Sequence, residues 1–256
     1  MCAADGVQRN LERVRRRIEA ACQRAGRPAS AVTLVGVIKG VAVEVIREAV
    51  ALGLAELGEN RVQEARAKQL VLGSRFEVRG KDFSLEPRTL NLEPVRWHLI
   101  GHLQRNKAKL AAQLFDVVHS ADSLPLIEEL ARARAAAGPG SPPLEVFVQV
   151  NVSGEATKFG CRQEDATALA SAVQESHALA LRGLMTMAPF SENPEDARPH
   201  FHRLRRLRDD VASTLSLEPS TLNLSMGMSQ DFEVAIEEGA DLVRIGTAVF
   251  GPREAG

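Results

Sequence analysis

Apolar positions along the chain fall into two alternating spacings. Short β-branched runs recur, each followed by a longer stretch whose apolar residues lie three and four apart. Residues 33–39 (TLVGVIK) predict the first strand, and 43–52 follows with helical spacing and stops at Gly53. A brief apolar stretch at 54–57 precedes the helix-favouring 61–70 (RVQEARAKQL). Residues 96–100, 115–120, 144–150 and 181–185 predict further strands, with helices at 104–113, 123–137, 163–177 and 195–214. The helix at 123–137 is closed by Gly138 and Pro139. The last strands are expected at 222–226 and 242–245, around a helix from about 230 to 238, and an extra helix at 7–25 precedes the series. Strand-then-helix alternation implies parallel strands with crossover helices. At 256 residues the pattern favours one α/β domain over 1–256, a single (β/α)8 TIM-type barrel, over an open doubly wound sheet.

One stretch breaks the rhythm. Residues 73–94 carry Gly, Pro and scattered charge without a period, which reads as an inserted loop. Within it SLEPRTLNL (84–92) is repeated with one change as SLEPSTLNL (216–224), without similarity in the flanks. A short duplicated segment at two surface connections is the expectation.

Composition then narrows the class. Hydrophobic residues at 45% and charged residues at 25% describe an ordinary globular chain. A net charge of −1 argues against a protein that coats a polyanion. No apolar run reaches 18 residues, and MCAADGVQRN lacks the basic and apolar regions of a secretory signal. Cys2, Cys22 and Cys161 are odd in number and widely spaced, as in a reducing cytoplasm. Tyr is absent altogether, which removes any mechanism needing a phenolic acid or base from this chain.

In a barrel the chemistry sits at the C-terminal strand ends. Lys39 closes the first strand, where a partly desolvated amine suits Schiff-base formation. SMGMSQDFEVAI (225–236) places Ser and Gly between a strand and a helix, and VRIGTAVFG (243–251) follows Arg244 with Gly246 and Thr247. Loops after strands seven and eight are the usual barrel phosphate site. A strand-one lysine, a phosphate cradle on strands seven and eight and an arginine between them point to pyridoxal phosphate.

Several ordered strings extend this reading: LGENRVQE (57–64), WHLIGHLQRNK (97–107), NVSGEATKFG (151–160), GLMTMAP (183–189) and SMGMSQDFEVAIEEGADLVRIGTAVFG (225–251). In them the chain resembles the pyridoxal phosphate homeostasis (YggS/PROSC-like) family along nearly its whole length. The resemblance implies a barrel like the N-terminal domain of alanine racemase, binding pyridoxal 5′-phosphate. By position, Lys39 matches the lysine of the internal aldimine, and Ser229, Gly246 and Thr247 match the phosphate-binding positions. Arg244 matches the arginine facing the pyridine nitrogen, and Asn60 matches a residue lining the pocket near the lysine. The family role implied is storage, carriage and regulation of the cofactor in intracellular vitamin B6 homeostasis. Apo pyridoxal-phosphate enzymes are the expected recipients, and the chain is expected to act as a cytoplasmic monomer without nucleic-acid or membrane contact.

The chain departs from the family around the lysine. The usual string resembles SKTKP, and here it is Ile38-Lys39-Gly40-Val41-Ala42, without either flanking hydroxyl or the second lysine. A cation fixed beside the pyridine nitrogen disfavours its protonation and weakens the ring as an electron sink. The racemase's second base is a tyrosine from a further domain, which this chain lacks, so efficient racemisation is not expected. A weak, racemase-like pyridoxal-phosphate enzyme is the alternative.

The remaining constellations carry plainer expectations. His98 and His102 lie four apart, but on strand and loop rather than helix, so no metal is expected there. His200 and His202 are expected to be solvated at a helix entry. The clusters Arg13/Arg15–Arg17 and Arg203/Arg205/Arg206/Arg208, interleaved with acids, read as solvated helix faces. Cys161 reads as a plain thiol.

Overall fold

The apolar runs form strands because both of their faces are covered. In a computed structural model describing residues 3–72, 95–138, 140–155 and 157–252, eight parallel strands close into a barrel in chain order. They are β1 (Thr33–Val37), β2 (Glu56–Glu59), β3 (Arg96–Leu99), β4 (Val117–Ala121), β5 (Leu144–Gln149), β6 (Leu179–Met185), β7 (Asn223–Ser225) and β8 (Leu242–Ile245). β1 closes the ring on β8, with Thr33 opposite Leu242 and Val35 opposite Arg244. Helix α1 (Ala3–Arg24) precedes the ring. The crossovers are α2 (Val43–Ala51), α3 (Val62–Leu72), α4 (Ala108–Leu114), α5 (Leu124–Ala135), α6 (Ala166–Gln174), α7 (Arg198–Thr214) and α8 (Phe232–Glu237), and the short α9 (Thr247–Phe250) follows β8. The loop expected at 73–94, the first copy of the repeat and Pro139 lie outside the described residues.

Alternation along each strand separates two cores. Val35, Val117, Phe147, Met185 and Leu242 meet inside the barrel, whereas Leu57, Leu99 and Val148 join the larger core between strands and helices. The N-terminal helix presents Val7, Leu11, Val14, Ile18 and Ala21 to that core at helical spacing. It packs beside α8 and α9, where Arg17 forks onto Glu233 at 3.2 and 3.0 Å and Asn10 reaches the Val249 carbonyl at 3.1 Å. The helix thus braces the segments that follow β7 and β8.

Two segments away from the pocket depart from expectation. The second strand lies two residues later than 54–57, because Leu54 belongs to the cap of α2. Gly53, at φ 82°, and Leu54 donate back to the Val50 and Ala49 carbonyls, a Schellman motif. The strand continues instead into Gly58 and Glu59, whose burial a hydropathy pattern does not foretell. The second copy of the repeat, 216–224, is not wholly a surface connection. Ser216 caps α7 in the left-handed region at φ 55°, but Leu222 and Leu224 are buried and the segment runs into β7.

Candidate functional site

The first wall of the site begins where β1 ends. Thr33, Val35 and Val37 face the barrel interior in turn, and Val37 lines a pocket at the C-terminal end. The strand stops at Val37, two residues earlier than expected, because 38–41 form a turn. Val41 N–H donates to the Ile38 carbonyl at 3.1 Å, and Gly40 sits at φ 68°, a conformation that favours glycine over the family's threonine. Lys39 is half-buried on this turn. A second lysine reaches it from another element: Lys68 of α3 donates from Nζ to the Ile38 carbonyl at 2.5 Å and to Glu59 Oε2 at 2.6 Å. Glu59 is fully buried, and its other oxygen accepts the Asn60 N–H at 2.7 Å. Gly101 packs so closely on Asn60 that a Cβ there would strike the Asn60 carbonyl. Asn60 is therefore fixed from both sides, with its buried Oδ1 lacking a hydrogen-bond partner.

The opposite wall comes from the loops after β7 and β8. Gly227, at φ 93°, turns the chain out of β7, and Asp231 accepts the Met228 N–H at 2.6 Å, which closes the loop carrying Ser229. Burial pushes the Asp231 carboxyl up, opposed by that hydrogen bond and by the charge of Arg244. Ser229 Oγ accepts the Ala248 N–H at 3.3 Å and ties this loop to α9, which Gly246 caps. The first N–H groups of a helix have no partner within it. Arg244 rises between the two loops from the barrel interior. It donates from Nη1 to Ser225 Oγ at 2.6 Å and from Nη2 to the Thr186 carbonyl at 2.8 Å. Burial lowers its guanidinium to about 10, partly offset by Asp231, so it stays cationic at neutral pH.

These walls enclose a pocket of about 500 Å³. Asn60, Ser229, Arg244, Gly246 and Thr247 all line it, and Lys39 stands two residues beyond the lining Val37. Phe190 and Met228 form an exposed apolar part of its rim. A cation, hydroxyls, helix-terminal N–H groups and an unpartnered carbonyl oxygen thus converge around one space.

Other candidates fall elsewhere. His98 lies inside the barrel, and His102 stacks on Phe159 at 4.1 Å between centroids, with Asp122 at 3.4 Å. His200 is not simply solvated: its Nδ1 is buried without a partner, and burial followed by the charge of Arg203 lowers its pKa. His202 is half-exposed and faces Glu238 at 3.3 Å. Cys161 is buried and its thiol is pushed up to about 12, by burial first and then by Asp165. Sequence reasoning passed over Glu59 and Lys68, although GEN was among the matching strings, because an ion pair nine residues apart has no local signature.

Comparison with known proteins decides the family. A family model described as "Alanine racemase, N-terminal domain" matches residues 9–254. The pyridoxal phosphate homeostasis protein of Aquifex aeolicus (strain VF5) is 43% identical over 244 residues, which cover 95% of this chain and 97% of that protein. The chain belongs to the pyridoxal phosphate homeostasis family. The Pseudomonas aeruginosa member is 42% identical over 98% of this chain and 97% of its own length. The solved structure of PipY from Synechococcus elongatus PCC7942, with PLP bound, aligns at TM-score 0.75 and 31% identity, covering 96% of this chain and 100% of that one. The family match spans every residue of both pocket walls, and the racemase-type barrel that the resemblance implied is the fold observed.

Proposed function

We propose that the protein binds pyridoxal 5′-phosphate in this pocket and serves intracellular vitamin B6 homeostasis by storing, carrying and regulating the cofactor in the cytoplasm. The observation that carries the reading is the convergence of Asn60, Ser229, Arg244, Gly246 and Thr247 on one space beside the Lys39 turn. The residues fit the group. Lys39 supplies the primary amine that captures the aldehyde covalently. Ser229, Gly246 and Thr247 hold the phosphate through a hydroxyl and backbone N–H groups. Asn60 Oδ1 offers its unused acceptor to a donor on the ligand.

Bound pyridoxal phosphate supplies an electrophilic carbonyl and an electron-withdrawing ring. Arg244 would limit the second property: its buried cation in the pocket wall would oppose a second positive charge on the bound ring. With no tyrosine in the chain to act as a base on the other face, the site is built to retain the cofactor and hand it to apo enzymes rather than to turn over amino acids.

The test is reconstitution. Holo-protein should show the visible absorption of a lysine-bound cofactor, and single L-amino acids should give slow α-proton exchange without product. A protein that stays colourless defeats the binding reading. Sustained turnover defeats the carrier reading and supports a racemase-like enzyme.

A further inference from the structure

A chain of polar side chains starts at Arg244 in the pocket wall and crosses the barrel interior through residues not assigned to the cofactor. Arg244 Nη1 donates to Ser225 Oγ at 2.6 Å, Ser225 Oγ lies 2.8 Å from His119 Nδ1, and His119 Nε2 lies 2.8 Å from His98 Nδ1. His98 Nε2 ends the chain on Glu56 Oε2 at 2.5 Å. Glu56 borders a small cavity of about 100 Å³ at the opposite, N-terminal end of the barrel, with Arg96, Glu145 and Arg182. An interior of this kind would ordinarily be filled with branched apolar side chains.

The ends of the chain dictate its direction. A guanidinium only donates and a carboxylate only accepts. Ser225 Oγ accepts from Arg244, so the hydroxyl proton has His119 Nδ1 as its partner. A proton on His119 Nδ1 would point at the same oxygen and leave the Ser225 proton without an acceptor at a position of 0% exposure. His119 therefore carries its proton on Nε2 and gives it to His98 Nδ1, and His98 donates from Nε2 to Glu56. The tautomers follow from the network, and each link hands the same polarity to the next. Burial is the first cause that holds the His119 imidazole well below its usual value, in keeping with a neutral ring. His119 is also clamped by stacking on Phe147 at 4.6 Å.

We infer that Ser225, His119 and His98 are positioning residues that run one-way hydrogen bonding from Arg244 in the pocket to Glu56 at the far end of the barrel, and so fix the guanidinium that faces the bound ring. Aligned hydrogen bonds polarise one another, so the carboxylate at Glu56 strengthens the acceptor that Ser225 offers to Arg244. The effect on the cofactor rests on the proposed pyridoxal phosphate site, whereas the direction of the relay does not.

Two measurements test this and separate the two claims. Histidine side-chain nitrogen NMR on the full chain without added cofactor should show His98 and His119 as neutral Nε2–H tautomers. A proton on Nδ1 of His119, or an imidazolium there, overturns the relay whatever the pocket binds. Pyridoxal phosphate titration, read by visible absorption, then compares Glu56→Gln with Glu145→Gln. Glu145 shares the same cavity and pairs with Arg96 at 2.8 Å and Arg182 at 3.1 Å, but it is not on the chain. A Gln at 56 can donate as well as accept, so this variant should bind the cofactor roughly 2- to 30-fold more weakly and shift the absorption band. Glu145→Gln should match the parent protein in both. Equal effects of the two variants, or none from Glu56→Gln, overturn the positioning role. Failure of the parent protein to bind pyridoxal phosphate removes the cofactor reading instead and leaves the NMR result standing.

Discussion

Replacing Lys68 with methionine isolates the interaction that holds the lysine turn. In the native protein Nζ reaches Glu59 Oε2 at 2.6 Å and the Ile38 carbonyl at 2.5 Å. The Glu59 side chain is 0% exposed and that of Lys68 only 12%, so solvent screens the pair little. Methionine matches the length of the lysine stem but leaves a buried carboxylate without its cation, which costs about 3–5 kcal/mol. For a chain of this size each kcal/mol moves the midpoint by roughly 2–4 °C, so Lys68→Met should melt roughly 6–20 °C lower. Gln at position 59 still accepts the Asn60 N–H and carries no charge, so Glu59→Gln combined with Lys68→Met should recover part of that loss. A double-mutant cycle by urea unfolding should give a coupling of about 2 kcal/mol or more. The same variant loosens the Ile38 carbonyl next to Lys39 and should weaken pyridoxal phosphate binding. A loss under about 1 kcal/mol, or an additive cycle, would refute a buried clamp.

The other predictions concern neighbouring features. Gly101→Ala places a methyl group against the Asn60 carbonyl and should cost about 1–3 kcal/mol with a matching loss of cofactor affinity, measured by urea melts and absorption titration; a neutral result would mean that Asn60 moves freely. The buried His119 imidazole has its pKa lowered well below 6.5, so the unfolded chain takes up a proton that the folded one refuses. Stability should be complete above about pH 6.5 and fall as pH drops below it, and His119→Phe should flatten that slope in unfolding midpoints taken from pH 7 to 5. Cys22 and Cys161 are buried, and burial is the first cause raising each thiol, that of Cys161 to about 12. Both should resist a thiol-specific reagent in the native protein and react on unfolding; rapid native labelling mapped to either would contradict the packing described.

Strand order and helix order were readable because each unit carries its own period: β8 lies at 242–245 as the apolar run predicts, and α2 starts at Val43 as expected. What resisted reading was which face of a strand meets the barrel axis. In a parallel sheet covered on both sides, alternation no longer separates inside from outside, and the residues inside this barrel include His98, His119 and Glu56. Glu59 illustrates the same limit: a strand residue with a charge is buried only because Lys68, from the next helix, lies against it. The short α9 offered too few residues for a period. The pocket residues on the loops were found through ordered strings such as SMGMSQ and VRIGTAVFG, whose spacing is local, whereas the relay joins five strands and has no trace in any one segment.

The central claim is that Lys39 is the residue that takes the cofactor. Borohydride reduction of protein reconstituted with pyridoxal phosphate, followed by peptide mass mapping, addresses it most directly. The account predicts one reduced pyridoxyl group, on Lys39, and its loss with the visible band in Lys39→Ala. Label on Lys68 or another lysine, with Lys39 unmodified, would contradict it.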